Sequence, residues 1–228
     1  MRLKLENVNN IQRADINLNG ITVITGKTGT GKSTIARALH IMCRICGEYT
    51  SSIFYDDTQR FDLGSDKGHI VLIKDDGNFI EVQDTHIECE PHKTASNSDI
   101  ELDGALLKLK DALPRGAFEQ LIRIQHNGFL VIDEPETHLH PASQLEVAEA
   151  IIIMRKQFGL HVLLTTNSPY FLHAMEVYSA YHKIADQCFY YLADGIEFEN
   201  VNGNIDKIYK EFLAPIQKLE VVEAEIDE

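Results

Sequence analysis

The sequence contains no apolar run that approaches the roughly 18 residues needed to cross a bilayer. Its longest candidates are short stretches such as Ile151-Ile152-Ile153-Met154, so the expectation is a chain without a membrane span. Cysteine is scarce, 4 in 228 residues. That is too few for a disulfide scaffold and points to a reducing, cytoplasmic setting. The first residues, Met1-Arg2-Leu3-Lys4-Leu5-Glu6, alternate as a strand does and lack the form of a signal peptide. Basic side chains are outnumbered, 21 against 35 acids, for a formal charge of −14. A bulk field able to hold nucleic acid by phosphate neutralisation is therefore missing, and only a local basic patch could serve. What is present is an ordinary globular composition. At 44% apolar and 25% charged the chain is neither disordered nor fibrous, and its length suits one domain, or one domain with a small lobe.

The early residues read as strands. Leu3 and Leu5 alternate with charged neighbours, Ala14-Asp15-Ile16-Asn17-Leu18 repeats the period of two, and Ile21-Thr22-Val23-Ile24-Thr25 is a β-branched run suited to a buried strand. A glycine-rich loop follows, then a helical pattern with Ile35, Leu39, Met42, Cys43 and Cys46 on one face and Gly47 as a C-cap. From 48 to 103 the texture predicts an antiparallel β lobe, with a hairpin of 69–74 and 78–83 around Asp75-Asp76-Gly77 and a polar loop over 91–99. Residues 104–127 return to a helical period, divided by Pro114 and Gly116. A buried strand (129–132), a helix from Pro141 to about Phe158, a strand (161–165), a helix after Ser168-Pro169 and a strand (188–192) come next. Weaker strand and helix signals reach Pro215, and no internal repeat is visible. Residues 219–228 hold five acids and no base and read as a solvated or partner-facing tail. The alternation predicts an α/β fold: a mostly parallel core sheet flanked by helices, with an antiparallel β lobe and a short helical insertion. It also predicts one domain over 1–218, with 48–128 inserted, and the acidic tail 219–228.

Gly26-Lys27-Thr28-Gly29-Thr30-Gly31-Lys32-Ser33 fits G-x-x-x-x-G-K-[ST] in full, with Thr34 next in the helix. Glycines let successive backbone N–H groups turn inward around phosphate oxygens, and the helix N-terminus adds partial positive charge. Lys32 is placed to reach β- and γ-phosphates, and the Ser33 hydroxyl to ligate Mg²⁺. A chance match in a chain this long arises roughly once in a hundred, and the strand before the loop and the helix after it lower that further. The implied ligands are ATP and Mg²⁺. About 100 residues on, the apolar strand Phe129-Leu130-Val131-Ile132 ends in Asp133-Glu134. In a P-loop sheet such a pair would hold Mg²⁺ through water at Asp133 and polarise the attacking water at Glu134. The wide spacing requires a lobe between the two motifs.

Asp133-Glu134-Pro135-Glu136-Thr137-His138-Leu139-His140-Pro141 resembles the extended acidic motif of ABC-type ATPases outside the transporters: the RecF-like, SMC-like and OLD-family enzymes and the stand-alone "AAA family" ATPases of bacterial defence systems. The two strands feeding the phosphate loop are similar as well. The resemblance implies that Asp133 is the Mg²⁺ aspartate, Glu134 the catalytic base, and 136–141 a stretch that meets a second subunit. It further implies a head-to-tail dimer around two Mg²⁺-ATP that signals to a separate effector or DNA-acting protein, with the work lying in phage defence or DNA maintenance. Leu163-Leu164-Thr165-Thr166-Asn167-Ser168-Pro169 resembles the family's switch segment, with Asn167 where His is usual; an amide can donate to a γ-phosphate or orient water but carries no charge. Gln83 sits near where the family places a Mg²⁺-sensing glutamine, and Gln59 competes for that part.

The resemblance also marks departures. The family's Ser-x-Gly signature, which caps the partner's nucleotide, would fall at Leu113-Pro114-Arg115-Gly116-Ala117-Phe118-Glu119-Gln120, where Gly116 stands without the serine. Either Arg115 supplies charge in trans or the site binds ATP and turns it over poorly. The latter leaves open a nucleotide-gated dimerisation module; a transporter cassette and a P-loop kinase fit the motifs less well. Cys43-x-x-Cys46 falls on the apolar stripe and reads as core thiols. His86-x-x-Cys89-x-x-His92 has zinc-ligand types in a polar, irregular stretch. His138 and His140 read as partner contacts, and no aromatic stands out for stacking a base.

Overall fold

The structure, a computed structural model, describes residues 1–45, 50–53, 60–64, 67–83, 86–88 and 126–226. Three strands open the chain: β1 (Arg2–Val8), β2 (Ile11–Asn17) and β3 (Ile21–Gly26). Helix α1 (Lys32–Ile45) follows, then the short strands β4 (Thr50–Ile53), β5 (Arg60–Asp62), β6 (His69–Ile73), β7 (Phe79–Val82) and β8 (His86–Glu88). The second half runs β9 (Phe129–Asp133), α2 (Pro141–Phe158), β10 (His161–Thr166), α3 (Pro169–Tyr181), β11 (Cys188–Ala193), β12 (Phe198–Asn200) and α4 (Asp206–Ile226).

The core sheet has six strands in the order β12-β11-β3-β10-β9-β4, parallel from β11 to β4 with β12 antiparallel at one edge. Its central strands are apolar on both faces, as a parallel sheet covered on both sides requires. Ile21, Val23, Leu130, Ile132 and Leu164 pack with α2 and α3. Ile24, Val131 and Leu163 pack on the other side with α1, whose Ile35, Ala38, Leu39, Met42 and Cys43 are buried. Leu3, Leu5, Ile16, Ile70 and Leu72, from a second, antiparallel sheet of order β2-β1-β6-β7, join that same cluster. Helix α1 is thus clasped between the two sheets.

The expected hairpin is present as β6–β7, pairing Ile73 with Phe79 and Ile70 with Val82. β6 pairs with β1, so the antiparallel sheet joins the N-terminal strands to the hairpin. The stretch read as all antiparallel also divides. β4 runs parallel to β9 at the edge of the core sheet, while β5 and β8 form a small antiparallel pair. Its pattern cannot separate these outcomes, because strand pairing is chosen by distant partners. The helical insertion over 104–125, with Pro114, Arg115 and Gly116, lies outside the described residues, as do Cys46, Gly47, Gln59, Cys89, His92 and the loop over 91–99.

The caps follow the sequence. Pro169 opens α3, whose Ser168 Oγ accepts from the Phe171 amide at 3.3 Å. Helix α2 opens at Pro141 and ends at Gly159, left-handed at φ 68°, whose N–H donates to Arg155 O. At the C-terminal end α4 continues through Pro215 to Ile226. Pro215 is exposed, so the Glu211 carbonyl that loses its helical donor can be met by water. Residues 219–226, read as a tail, are the exposed last two turns of this helix. No described helix is long and apolar enough to cross a membrane.

Candidate functional site

Strand β3 delivers the glycine loop at its C-terminal end. Gly26 has φ 145°, and a Cβ there would sit 2.3 Å from the Ala193 carbonyl oxygen, so only glycine lets β3 lie against β11 at this point. Gly29 and Gly31 also have positive φ, 82° and 91°. The loop is braced from outside the core sheet: Asn10, in the β1–β2 turn, donates Nδ2 to Gly29 O at 2.6 Å. Within it, Thr30 Oγ1 donates to Lys27 O at 2.8 Å, and the Ile35 N–H donates to Gly31 O to begin α1. Lys32 is only 4% exposed. Its ammonium donates to Gly26 O at 2.8 Å and Lys27 O at 2.9 Å, so both positive charge and N–H groups gather at the mouth of the loop. Burial lowers the Lys32 pKa, and Glu134, Asp133 and Glu136 pull it back up.

The acidic strand end stands across from this loop. Ser33, in the first turn of α1, donates Oγ to Asp133 Oδ1 at 3.1 Å, across 100 residues of sequence. Thr165, on the neighbouring strand β10, donates to the same oxygen at 2.5 Å. Register makes this contact, because Thr165 and Asp133 are paired residues of parallel strands. Thr165 Oγ1 also accepts from the Glu134 N–H at 3.0 Å. Glu134 itself adopts φ 51°, a left-handed conformation that costs a non-glycine residue about 1–3 kcal/mol and recurs at active sites. Asn167, just past β10, donates Nδ2 to Glu134 Oε1 at 2.6 Å, and its backbone N–H donates to Glu136 Oε1, also at 2.6 Å. Burial raises the Glu136 pKa, opposed chiefly by that backbone hydrogen bond.

The fold therefore brings together Gly26, Lys27, Thr28, Gly29, Thr30, Gly31, Lys32, Ser33 and Thr34 on one side, with Asp133, Glu134 and Asn167 on the other. Gln83 does not join them among its described contacts: it follows the edge strand β7 and donates Nε2 to Glu81. His138 and His140 are exposed, and His140 Nδ1 accepts from the Ala142 N–H at the start of α2. Four contributors escape a reading by motif: Asn10, Thr165, the buried carboxylate of Glu136, and Gln144, whose Oε1 accepts from Ser168 Oγ at 2.5 Å. Glu136 and Thr165 lie inside the quoted motifs, so their chemistry is visible in sequence but their targets are not. Nothing in the spacing of Asn10 connects it to a loop 19 residues away.

Chemically, the site offers hydroxyl and carboxylate oxygens that suit a hard divalent cation. It also has a buried ammonium with backbone amides for anionic oxygens, and a carboxylate oriented by an amide. With the loop placed between a parallel strand and a helix, this arrangement is that of an ATPase-type P-loop domain. The chain belongs to the AAA domain family, whose sequence profile matches residues 2–128. A second profile, described as AAA domain, putative AbiEii toxin, Type IV TA system, matches residues 104–173. No curated protein matches the chain. Among solved structures it is similar to the SMC head domain from Thermotoga maritima, at 12% identity and TM-score 0.46, over 88% of this chain and 98% of that one. It is also similar to the dimeric structure of MJ0796, a bacterial ABC transporter cassette, at 12% identity and TM-score 0.45, over 86% and 96%. A third is an SMC head bound to the C-winged helix domain of ScpA, at 11% identity and TM-score 0.44, over 87% and 96%. Likenesses this distant concern the fold alone.

Proposed function

We propose that the chain binds Mg²⁺-ATP at this site and hydrolyses it, dimerising head to tail around the nucleotide and passing the resulting change of shape to a separate protein. The observation that supports this most is the meeting of Ser33, Asp133, Glu134 and Asn167 opposite the phosphate loop. In this reading the amides of 26–34 and Lys32 hold the phosphates. Ser33 and Asp133 are the residues that would hold Mg²⁺, which would neutralise phosphate charge. Glu134 takes the proton of the attacking water, and Asn167 fixes the direction of its carboxylate. Lys27 Nζ lies 3.2 Å from Glu211 Oε2 on α4. This exposed pair, worth about 0.2–1 kcal/mol, is weak enough for a phosphate to compete for Lys27, giving nucleotide a route to move α4. The acidic face of α4 is where a basic partner would dock. Residues 1–218 acting as one ATPase domain, a cytoplasmic setting, and a role in phage defence or DNA maintenance complete the reading. The toxin-type description of the profile over 104–173 supports the last of these.

A second reading, a nucleotide-gated module with little turnover, draws support from Asn167, which is uncharged and already engaged with Glu134. Phosphate release and oligomer mass, measured with ATP-Mg²⁺ for the wild type and E134Q, separate the two. An ATPase gives turnover that E134Q lowers at least about tenfold, with E134Q accumulating as an ATP-bound dimer. Equal, negligible rates with an ATP-dependent dimer in both would favour the switch. Absence of nucleotide binding would end both readings.

A further inference from the structure

Glu136 is a half-buried carboxyl that the proposed chemistry does not use. It sits in the turn after β9, where Thr137 N–H donates to Glu134 O and Leu139 N–H to Glu136 O, so its backbone is fixed relative to the acidic strand end. Its Oε1 accepts the Asn167 N–H at 2.6 Å, while Oε2 is buried without a hydrogen-bond partner. The bond from the Asn167 N–H is therefore the contact that ties this side chain to residue 167, and the Thr166 side chain adds a second polar contact to the carboxyl. The adjoining residue is held from the same side: Ser168 Oγ donates to Gln144 Oε1 on α2 at 2.5 Å, and the Ser168 N–H donates to Thr166 Oγ1 at 3.0 Å. Backbone and side chain of Asn167 thus face two different carboxylates, its main-chain N–H on Glu136 and its Nδ2 on Glu134.

We infer that Glu136 is a positioning residue, whose carboxyl oxygen pins the Asn167 backbone so that the Asn167 amide is aimed at Glu134. The geometry supports this over a purely packing role. A buried acid oxygen left without a partner is costly, and a nonpolar side chain would fill the same space without that cost. What an apolar residue could not supply is an acceptor for the Asn167 N–H. Losing the acceptor leaves the Asn167 amide free to turn, and Glu134 then keeps only the longer contact from Thr137 Oγ1, at 3.5 Å, to orient its carboxylate. A misplacement of about 1 Å at a reacting group costs on the order of 10²-fold in rate.

This inference rests on the ATPase reading for its kinetic arm only. The test compares wild type, E136A and E136Q in ATP turnover and in amide hydrogen exchange over residues 163–172 without nucleotide. Gln keeps an acceptor for the Asn167 N–H and Ala removes it. The expected result is a fall in kcat of about 10–100-fold for E136A with KM changed less than about threefold, because the phosphate loop is untouched, and rescue to within about fivefold by E136Q. Exchange of the 166–168 amides should rise at least about tenfold in E136A and stay near wild type in E136Q, while the core strands stay protected in both. The inference is overturned if E136A keeps wild-type kcat, if E136Q falls as far as E136A, or if exchange at 166–168 is unchanged. If the wild type shows no turnover above E134Q, the ATPase reading fails instead, and exchange alone decides the place of Glu136.

Discussion

Asn167 and Glu134 can be set against each other by one atom. N167D replaces the amide nitrogen that lies 2.6 Å from Glu134 Oε1 with an oxygen, at nearly constant volume. Two carboxylates then face each other where a charge-assisted hydrogen bond stood. Relaxed to about 4 Å, two unit charges repel by about 1 kcal/mol with the screening of bulk water and about 4 kcal/mol at an effective dielectric near 20. The site is half-buried, and the lost hydrogen bond to a charged group contributes about 1.5–3 kcal/mol more. A net loss of about 3 kcal/mol at pH 8 follows, which lowers Tm by about 6–12 °C in a domain of this size. The loss depends on pH in a defined direction. The folded pair holds one proton to a higher pH than separate unfolded carboxyls do, so the deficit is full above the pair's folded pKa and fades as pH falls toward about 4. N167A removes the hydrogen bond without adding charge, so its deficit stays nearly constant. Thermal melts of wild type, N167D and N167A between pH 5 and pH 8 read this directly. A deficit for N167D that is the same at both pH values, or no larger than that of N167A at pH 8, would refute the reasoning.

The same logic runs in the other direction for Glu136. Its carboxyl pKa is raised by burial, so stability from the protonated form is full below the unfolded value of about 4.5 and is lost as pH rises through the folded one. E136Q therefore raises Tm at pH 8 and leaves it unchanged near pH 4.5; a shift of equal size at both would contradict the cause given. G26A drives a Cβ to within 2.3 Å of Ala193 O at a φ that side chains rarely adopt. A loss of at least about 3 kcal/mol in urea titration is expected, combining backbone strain and separation of β3 from β11. G29A, where a Cβ meets nothing within 4 Å, should lose only about 1 kcal/mol from φ alone; equal losses in the two would show that the close approach is not the cause.

Much of the site is legible without coordinates because each half of it is local. The phosphate loop needs a strand, three glycines and a helix start within a dozen residues, and 21–32 supplies them in order. Asp133-Glu134 announces itself as charge at the end of an apolar strand. The caps at Ser168-Pro169 and Pro141 depend on neighbours two or three residues away. The β lobe and the C-terminal helix are less legible for the opposite reason. A four-residue strand such as β4 carries no signal for which sheet it joins, and a proline halts a helix only where the carbonyl it leaves unpaired cannot reach water.

The sequence by itself determined the chemistry: the loop that can cradle phosphate, the hydroxyl and carboxylate set, and an acidic body whose local positive end is Lys32. Tertiary structure decided who meets whom. Parallel pairing of β9 with β10 sets Thr165 beside Asp133. The clasp of α1 between two sheets brings Ser33 to the same oxygen, and the β1–β2 turn places Asn10 against Gly29. These are contacts of a few ångströms between residues up to 100 positions apart. They arise because burying the apolar faces of both sheets and α1 leaves one register that satisfies the polar groups at the strand ends.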